Sequence, residues 1–225
     1  MSDYSYPGAE LCLFRSAVRW KSYWFSRISK FVRGDVLEVG AGNGNNTHFI
    51  LPQVTPRSWT CIEPDLLLFR QLSEFGVVPR SYPLKVVNGT VEQIDQSEQF
   101  DSILYLDVLE HIEDDKAELD KVVAYLRPSG YLIVLAPALP YLFSRFDEAV
   151  GHHRRYTKDT LRELCPTGCR LLQVEYLDSC GVIASLVNRY FLARSLPSHN
   201  QVQTWDRLVV PTSIVIDNGS SPIVS

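Results

Sequence analysis

The chain has 225 residues, 45% hydrophobic and 21% charged, which suits one large globular core and excludes a disordered chain, a coiled coil, a collagen-like fibre or a membrane bundle. Twenty-two Lys and Arg stand against 26 Asp and Glu, a formal net charge of −4, so there is no basic excess to hold a phosphate polymer and nucleic acid is not an expected partner. The N-terminus MSDYSYPGAE carries acidic residues and no apolar core, unlike a signal peptide. The longest greasy run, 131–143, is broken by Pro137 and Pro140 and is too short to span a bilayer. Five cysteines without a disulfide-framework spacing predict reduced thiols and a cytoplasmic protein. Cys165 and Cys169, the one close pair, fit no common zinc spacing with His152 and His153 and read as small buried apolar residues.

Along the chain, Leu11, Phe14, Ala17, Val18, Trp24, Ile28 and Phe31 recur at helical spacing, predicting an N-terminal helix or a broken pair that forms a helical cap over 1–33. The pattern then changes to short β-rich runs at 35–40, 59–62, 84–87, 101–106 and 131–136, separated by helical stretches at 46–51, 65–75, 116–126 and 158–164. Strands apolar on both faces that alternate with helices predict an α/β fold, a doubly wound, Rossmann-like and mostly parallel sheet covered by helices on both sides. Right-handed crossovers then put the ligand crevice at the carboxyl ends of the strands. Residues 170–177 read as a sixth strand and 182–193 as a helix. The tail reads as a polar loop with a short helix-like DRLVV, and 214–216 is a weak candidate for an edge strand. The expected organisation is one domain over 1–225: the helical segment 1–33, a core over 34–180, and a C-terminal helix with an irregular tail over 181–225.

The most informative segment is 36–47, VLEVGAGNGNNT, a buried strand running into Gly40, Gly42 and Gly44 and then into a helix. Glycines there let the backbone turn sharply and approach a ligand closely, because no Cβ intervenes. A dinucleotide turn, G-x-G-x-x-G, needs its third glycine at 45, where this chain has Asn45, and no Lys-Ser/Thr pair follows to make a P-loop. At the end of the second strand Glu63, Pro64 and Asp65 follow Ile62. A carboxylate there offers two acceptor oxygens to two neighbouring O–H donors. Asp65 reads instead as a helix cap, a role that Asp fills well and Glu poorly.

These residues resemble motif I and the acidic second-strand end of the class I S-adenosylmethionine-dependent methyltransferases, specifically the ubiquinone-pathway-like type 11–12 group. Further marks follow in family order: VNGTVE at 87–92, FDSILYLDVLEHI at 100–112 and LRPSGYLIV at 126–134, with Thr90 and Ser129 departing from the family pattern. The resemblance covers 34–165. It implies S-adenosylmethionine as cofactor and transfer of its methyl group to a small-molecule acceptor, with an oxygen nucleophile expected. It implies cofactor contacts from Glu38, Gly40, Ala41, Gly42, Gly44 and Asn45, from Glu63 and Pro64 at the ribose, from Gly89, Thr90 and Val91 along the adenine, and from Leu106 and Asp107. Two readings from other classes stand beside it: a non-catalytic S-adenosylmethionine-binding module, and a nicotinamide-dependent oxidoreductase, which the glycine spacing disfavours.

An oxygen acceptor needs its proton removed by an imidazole or carboxylate in reach. Glu110, His111 and His153 are the candidates. The spacing D-x-x-E-H of Asp107, Glu110 and His111 resembles the E-x-x-E-H of some metal-dependent O-methyltransferases, but no metal is assigned, because Asp for the first Glu shortens the reach. Three readings stay open: a Mg²⁺-like site, His111 as general base, or Asp107 and Glu110 as helix caps with His111 packed beneath the loop. His152, His153, Arg154 and Arg155 form the one concentrated positive cluster of an acidic chain and suggest an anionic acceptor. The aromatic residues Phe143, Phe146 and Tyr156 in the same segment are not expected to be left in water.

Overall fold

The structure, a computed structural model, describes residues 8–74, 82–187 and 196–220. It begins with α1 (Ala9–Phe14) and α2 (Val18–Ile28), then β1 (Asp35–Val39), α3 (Asn45–Ile50), β2 (Ser58–Glu63), α4 (Leu66–Glu74), β3 (Leu84–Asn88) and β4 (Phe100–Leu106). After these come α5 (Asp115–Val122), β5 (Leu126–Leu135), α6 (Arg145–Val150), α7 (Lys158–Glu163), α8 (Gly181–Val187), α9 (His199–Thr204) and α10 (Val210–Ser220). Short 3-10 turns interrupt the series, among them Leu109–His111. No helix among the described residues is long and apolar enough to cross a membrane. The chain divides into two compact units, residues 28–137 with 164–170, and 8–27 with 138–163 and the described residues from 171 onward.

The first unit is built on one parallel sheet in the order β3-β2-β1-β4-β5. The inner strands bury nearly every side chain, from Val36 to Val39, Trp59 to Glu63 and Ser102 to Leu106, as a sheet covered on both faces requires. Strand order reverses between β1 and β4. Such a switch point splays the two connections apart and leaves a crevice at the carboxyl ends, beyond Val39 and Leu106. At the opposite end of the strands, Asp35 and Asp101 share Arg127, at 2.6 and 2.8 Å, and Asp101 also accepts the Asp35 amide at 2.8 Å. Asp65 caps α4 as expected: its Oδ1 accepts the Leu67 and Leu68 amides, each at 2.9 Å.

The second unit holds the N-terminal helices, which are a broken pair, and the segments after β5. Its buried carboxylates organise it. Asp206 accepts the amides of Arg19 and Trp20 at 3.3 and 2.8 Å, capping α2 from far along the chain. Asp217 accepts the Tyr23 hydroxyl at 2.7 Å, and burial together with that carboxylate pushes the Tyr23 phenol up to about 12. Asp178 accepts Trp205 Nε1 at 2.8 Å and Ser213 Oγ at 2.6 Å.

Three expectations for the chain's later half are corrected. Residues 170–177 form no strand, and Leu171, Leu172 and Tyr176 are 43%, 53% and 38% exposed; strand-like composition alone does not make a ladder. The tail is not a loop with an edge strand. It runs helically from His199 to Ser220 through a π-turn at Trp205–Val209, and 214–216 lies within α10. The buried positions Val202, Asp206, Val210, Ser213 and Asp217 recur at helical spacing, yet three are polar, so hydrophobicity alone conceals the stripe. Cys165 and Cys169 are half-buried free thiols rather than fully buried ones. The expected helix over 182–193 is present to Val187; residues 188–193, Phe75 at the end of the expected 65–75 helix and 221–225 of the tail lie outside the described residues.

The fully buried Asp147 is held by charged partners of the second unit. Arg155 grips it through Nε at 2.7 Å and Nη2 at 2.9 Å, His152 Nδ1 lies 2.9 Å away, and the Ser144 amide donates at 2.9 Å. Burial alone would raise its carboxyl, but the bonds from His152 and Arg155 hold it down at about 2. A carboxyl depressed in the folded state stabilises above its unfolded value of about 3.9 and loses that contribution as pH falls toward 2. Asp147→Asn is expected to cost about 3 kcal/mol at neutral pH, with the difference from wild type shrinking as pH falls from 4 to 2. Urea denaturation of both proteins across that range measures it.

Candidate functional site

The crevice edge begins where β1 ends. Gly40, Gly42 and Gly44 take left-handed backbone conformations with φ of 65°, 58° and 83°, alternating with Ala41 and Asn43. A side chain at Gly40 would meet both Val108 methyls at 2.7 and 2.8 Å, so the glycine also lets the loop lie against the turn after β4.

Glu63, the last residue of β2, joins the loop to its neighbours. It is 4% exposed; its Oε2 accepts the Gly42 amide at 2.7 Å and its Oε1 the Asp65 amide at 2.8 Å. Its carbonyl accepts the Gly89 amide at 3.0 Å and Asn88 Nδ2 at 2.9 Å, while the Ala41 amide donates to the Ile62 carbonyl at 3.0 Å. The ends of β1, β2 and β3 are thereby fixed together. Burial raises the Glu63 carboxyl above the usual carboxylate range, against the two backbone bonds that favour its charge. Pro64 beside it is half-buried.

Glu38 sits deeper. Its Oε2 accepts Thr47 Oγ1 at 2.7 Å and Trp59 Nε1 at 3.0 Å, with Cys61 Sγ at 3.8 Å, so it binds β1 to α3 and β2. Burial and that carboxylate push the Cys61 thiol well above its ordinary range. Thr47, Trp59 and Cys61 were not singled out by the sequence; strand register, which pairs Glu38 with Cys61, brings Trp59 and Cys61 to it, and Thr47 reaches it from α3. In the 88–91 turn, Thr90 is exposed and caps the 3-10 turn Val91–Gln93 together with the Gln93 side chain, while Val91 is wholly buried.

At the end of β4, Leu106 is buried, and Asp107 is exposed with φ 57° and its amide on the Leu135 carbonyl at 2.9 Å. Glu110 is fully buried and His111 half-buried in the turn Leu109–His111. The two carboxylates therefore occupy opposite environments. Asp114 caps α5 by accepting the Ala117 amide at 3.0 Å. His153 is exposed and belongs to the second unit. Of the positive cluster, His152 and Arg155 are committed to Asp147, and Tyr156 is buried.

Asn43, between two of the glycines, was absent from the expected contacts. Its Oδ1 is buried and accepts no hydrogen bond among the described residues. A polar residue held between two left-handed glycines was the available signal.

The two outer glycines should respond differently to a methyl group. At Gly44 the added Cβ would crowd the end of Leu72, 2.7 Å away, a side chain that can move; at Gly40 it meets a β-branched Val108. Both changes oppose a positive φ, so Gly44→Ala should cost about 1 kcal/mol and Gly40→Ala about 2–3 kcal/mol, read from urea midpoints.

Residues 37–132, a little under half of the chain, match the family model described as a methyltransferase domain. The ubiquinone biosynthesis O-methyltransferases of Rhodopseudomonas palustris strains HaA2 and TIE-1 are 42% and 40% identical over 45 and 47 residues, 20% and 21% of this chain and 18% and 19% of theirs. The chain thus spans less than a fifth of the length of these curated relatives. Among solved structures, the CurJ carbon methyltransferase is similar with a TM-score of 0.53 at 19% identity, over 71% of this chain and 49% of that one. The YcgJ protein of Bacillus subtilis gives 0.52 at 16%, over 64% of each chain. Sheet order, glycine loop and family match agree: residues 37–132 are similar to a methyltransferase domain, and the parallel sheet has the fold of the similar structures.

Proposed function

We propose that the protein transfers a methyl group from S-adenosylmethionine to a small-molecule acceptor through an oxygen nucleophile, in a reducing compartment such as the cytoplasm, where its five free cysteines would stay thiols. The observation that carries the reading is the buried Glu63 carboxylate at the end of β2, bonded to the glycine loop through Gly42. Each of its oxygens accepts one backbone N–H and keeps a second lone pair, so it fits two neighbouring ribose hydroxyls without releasing the loop. Loop residues 40–45, Glu63 with Pro64, the turn 89–91 and residues 106–107 form the proposed cofactor site. Glu38 serves it from beneath, by holding α3 and β2 to β1. When bound, S-adenosylmethionine supplies a methyl group on a sulfonium, a leaving group that needs no further activation.

The chain's own task is then to align the acceptor, exclude water and take the acceptor's proton. His111, in the turn after β4, is the proposed base, with the buried Glu110 preceding it in that turn. His153, exposed on the segment after β5, is the second candidate. An oxygen acceptor draws support from the short matches to proteins named as O-methyltransferases.

Calorimetry with S-adenosylmethionine and with NAD tests the first step. The former should bind and the latter should not. Glu63→Ala is expected to weaken binding by about 1.5–3 kcal/mol, the worth of charge-assisted hydrogen bonds, and Gly42→Val to abolish it by opposing φ 58° at the loop. Unchanged affinity in both variants would end this reading. For the second step, methyl transfer from labelled donor should fall about 10²-fold or more in His111→Ala and be insensitive to chelator. Chelator sensitivity would select a metal instead, and full activity in His111→Ala and His153→Ala would remove both histidines.

A further inference from the structure

The helical tail over 199–220 is turned inside out. Its inward stripe, Asp206, Val210, Ser213 and Asp217, is buried and mostly polar. Its outward stripe, Leu208, Pro211 and Val215, is apolar, and Leu208 and Val215 are 66% and 73% exposed. Ile216 and, on α2, Val18 are exposed as well. A helix placed for water carries its polar residues outward and its aliphatics inward. Here the inward polar groups have their donors: Asp206 accepts the Arg19 and Trp20 amides, and Asp217 accepts the Tyr23 hydroxyl. Those bonds hold the tail to α2 without Leu208 or Val215. Single exposed aliphatics are ordinary on a protein surface, whereas a stripe of them along one helix face marks a contact with something apolar.

The charges bordering the stripe indicate what covers it. The chain as a whole is acidic, yet α2 contains no acidic residue, and the two of the tail, Asp206 and Asp217, are buried. Arg207 precedes Leu208 and is exposed, and Arg19 reaches across from α2 to the Arg207 carbonyl, which accepts its Nη1 at 2.6 Å. Arg19, Tyr23 and Arg27 of α2, with Ile214 and Asn218 of α10, line an open cavity of about 350 Å³. Arg27 lies over the Tyr23 ring, 5.4 Å from its centre, and donates Nη2 to Asn218 Oδ1 at 2.5 Å. Its Nε is buried and has no hydrogen-bond partner among the described residues; the Glu175 carboxylate stands 4.0 Å away, beyond hydrogen-bond reach. A phosphate oxygen is the acceptor that the arginine fork suits best, and the cavity has room for one. Aliphatics bordered by arginines match a bilayer of negative surface charge, in which the former enter the acyl boundary and the latter hold headgroups. A two-fold pairing of this face with a second copy would instead bring arginines against arginines. We propose that the face formed by α2 and the tail docks on anionic phospholipid membranes, with Leu208 and Val215 inserted and Arg19, Arg27 and Arg207 on headgroup phosphates. The docking does not depend on the methyl-donor reading.

Co-flotation of the full chain with vesicles tests it, using phosphatidylcholine alone and phosphatidylcholine in which a third of the lipid is phosphatidylglycerol. The chain should bind the mixed vesicles about 10-fold or more tighter than the neutral ones, and added salt should weaken that binding. Leu208→Gln combined with Val215→Gln should reduce binding to mixed vesicles about 10-fold or more, and Arg207→Gln about 5-fold, with the melting temperature unchanged in both variants. Equal binding to both kinds of vesicle, or binding that the variants leave intact, overturns the proposal. A melting temperature several degrees lower in the double variant would assign the two aliphatics to the fold and overturn it too. A dimer in sedimentation that the double variant dissociates would make the face an interface between copies. Stabilisation by inorganic phosphate without vesicle binding would make the cavity a site for a dissolved anion, and either result removes the membrane as the partner.

Discussion

A parallel sheet exposes its strand ends, and the backbone groups there must be satisfied after the ladder stops. In this protein one carboxylate does much of that work. Glu63 takes the amide of the glycine loop with one oxygen and the amide of Asp65 with the other, while its carbonyl takes Gly89 and Asn88. The ends of three adjacent strands are thereby fixed by one residue, which burial holds above its ordinary protonation range. The loop's left-handed glycines would otherwise have many alternatives, since glycine visits both signs of φ. The bond from Gly42 to Glu63 removes much of that freedom before a ligand arrives, and preorganisation of this kind improves affinity by reducing what binding must order.

Beneath the loop, Glu38 performs the complementary task. A buried carboxylate with Thr47 and Trp59 on one oxygen is a polar tie inside an otherwise apolar sheet layer. It determines where α3 starts relative to β1 and hence how the glycine loop leaves the strand. At the other end of the strands the Asp35–Asp101–Arg127 cluster secures the entry of β1 and β4. The site thus sits on strands held at both ends, the rigid support that a precise binding constellation needs.

The second unit follows a similar economy with different residues. Asp147, Asp178, Asp206 and Asp217 each satisfy backbone amides, hydroxyls, an indole or a guanidinium that helices and turns leave unpaired. This alters the meaning of the cluster at 152–155. Read as charge, it suggests an anion-binding surface; in the structure, Asp147 already neutralises Arg155 and engages His152, leaving His153 as the exposed member. Aspartates in the same chain segment decide how much of a basic cluster is available to anything else.

The sequence by itself determined the α/β class, all five strands, the three glycines with their spacing, Glu63 as the acid at the end of β2 and Asp65 as a helix cap. These are local matters: strand runs apolar on both faces, glycines where φ must be positive, and a short side chain ahead of a helix declare themselves within a few residues. What only the tertiary structure decided depends on partners distant in sequence. Trp59 and Cys61 meet Glu38 through strand register, and Thr47 meets it from α3. The 170–177 run forms no strand, though its composition is strand-like, because pairing depends on a partner elsewhere in the chain. The tail is helical because Asp206, Ser213 and Asp217 find donors on other elements, making a polar stripe buriable and invisible to hydrophobic periodicity. Asn43 looks like an ordinary loop residue, yet its oxygen is buried and has no donor among the described residues. Propensity and periodicity are properties of a segment, whereas the satisfaction of a buried polar atom is a property of the whole fold, and the second cannot be read from the first.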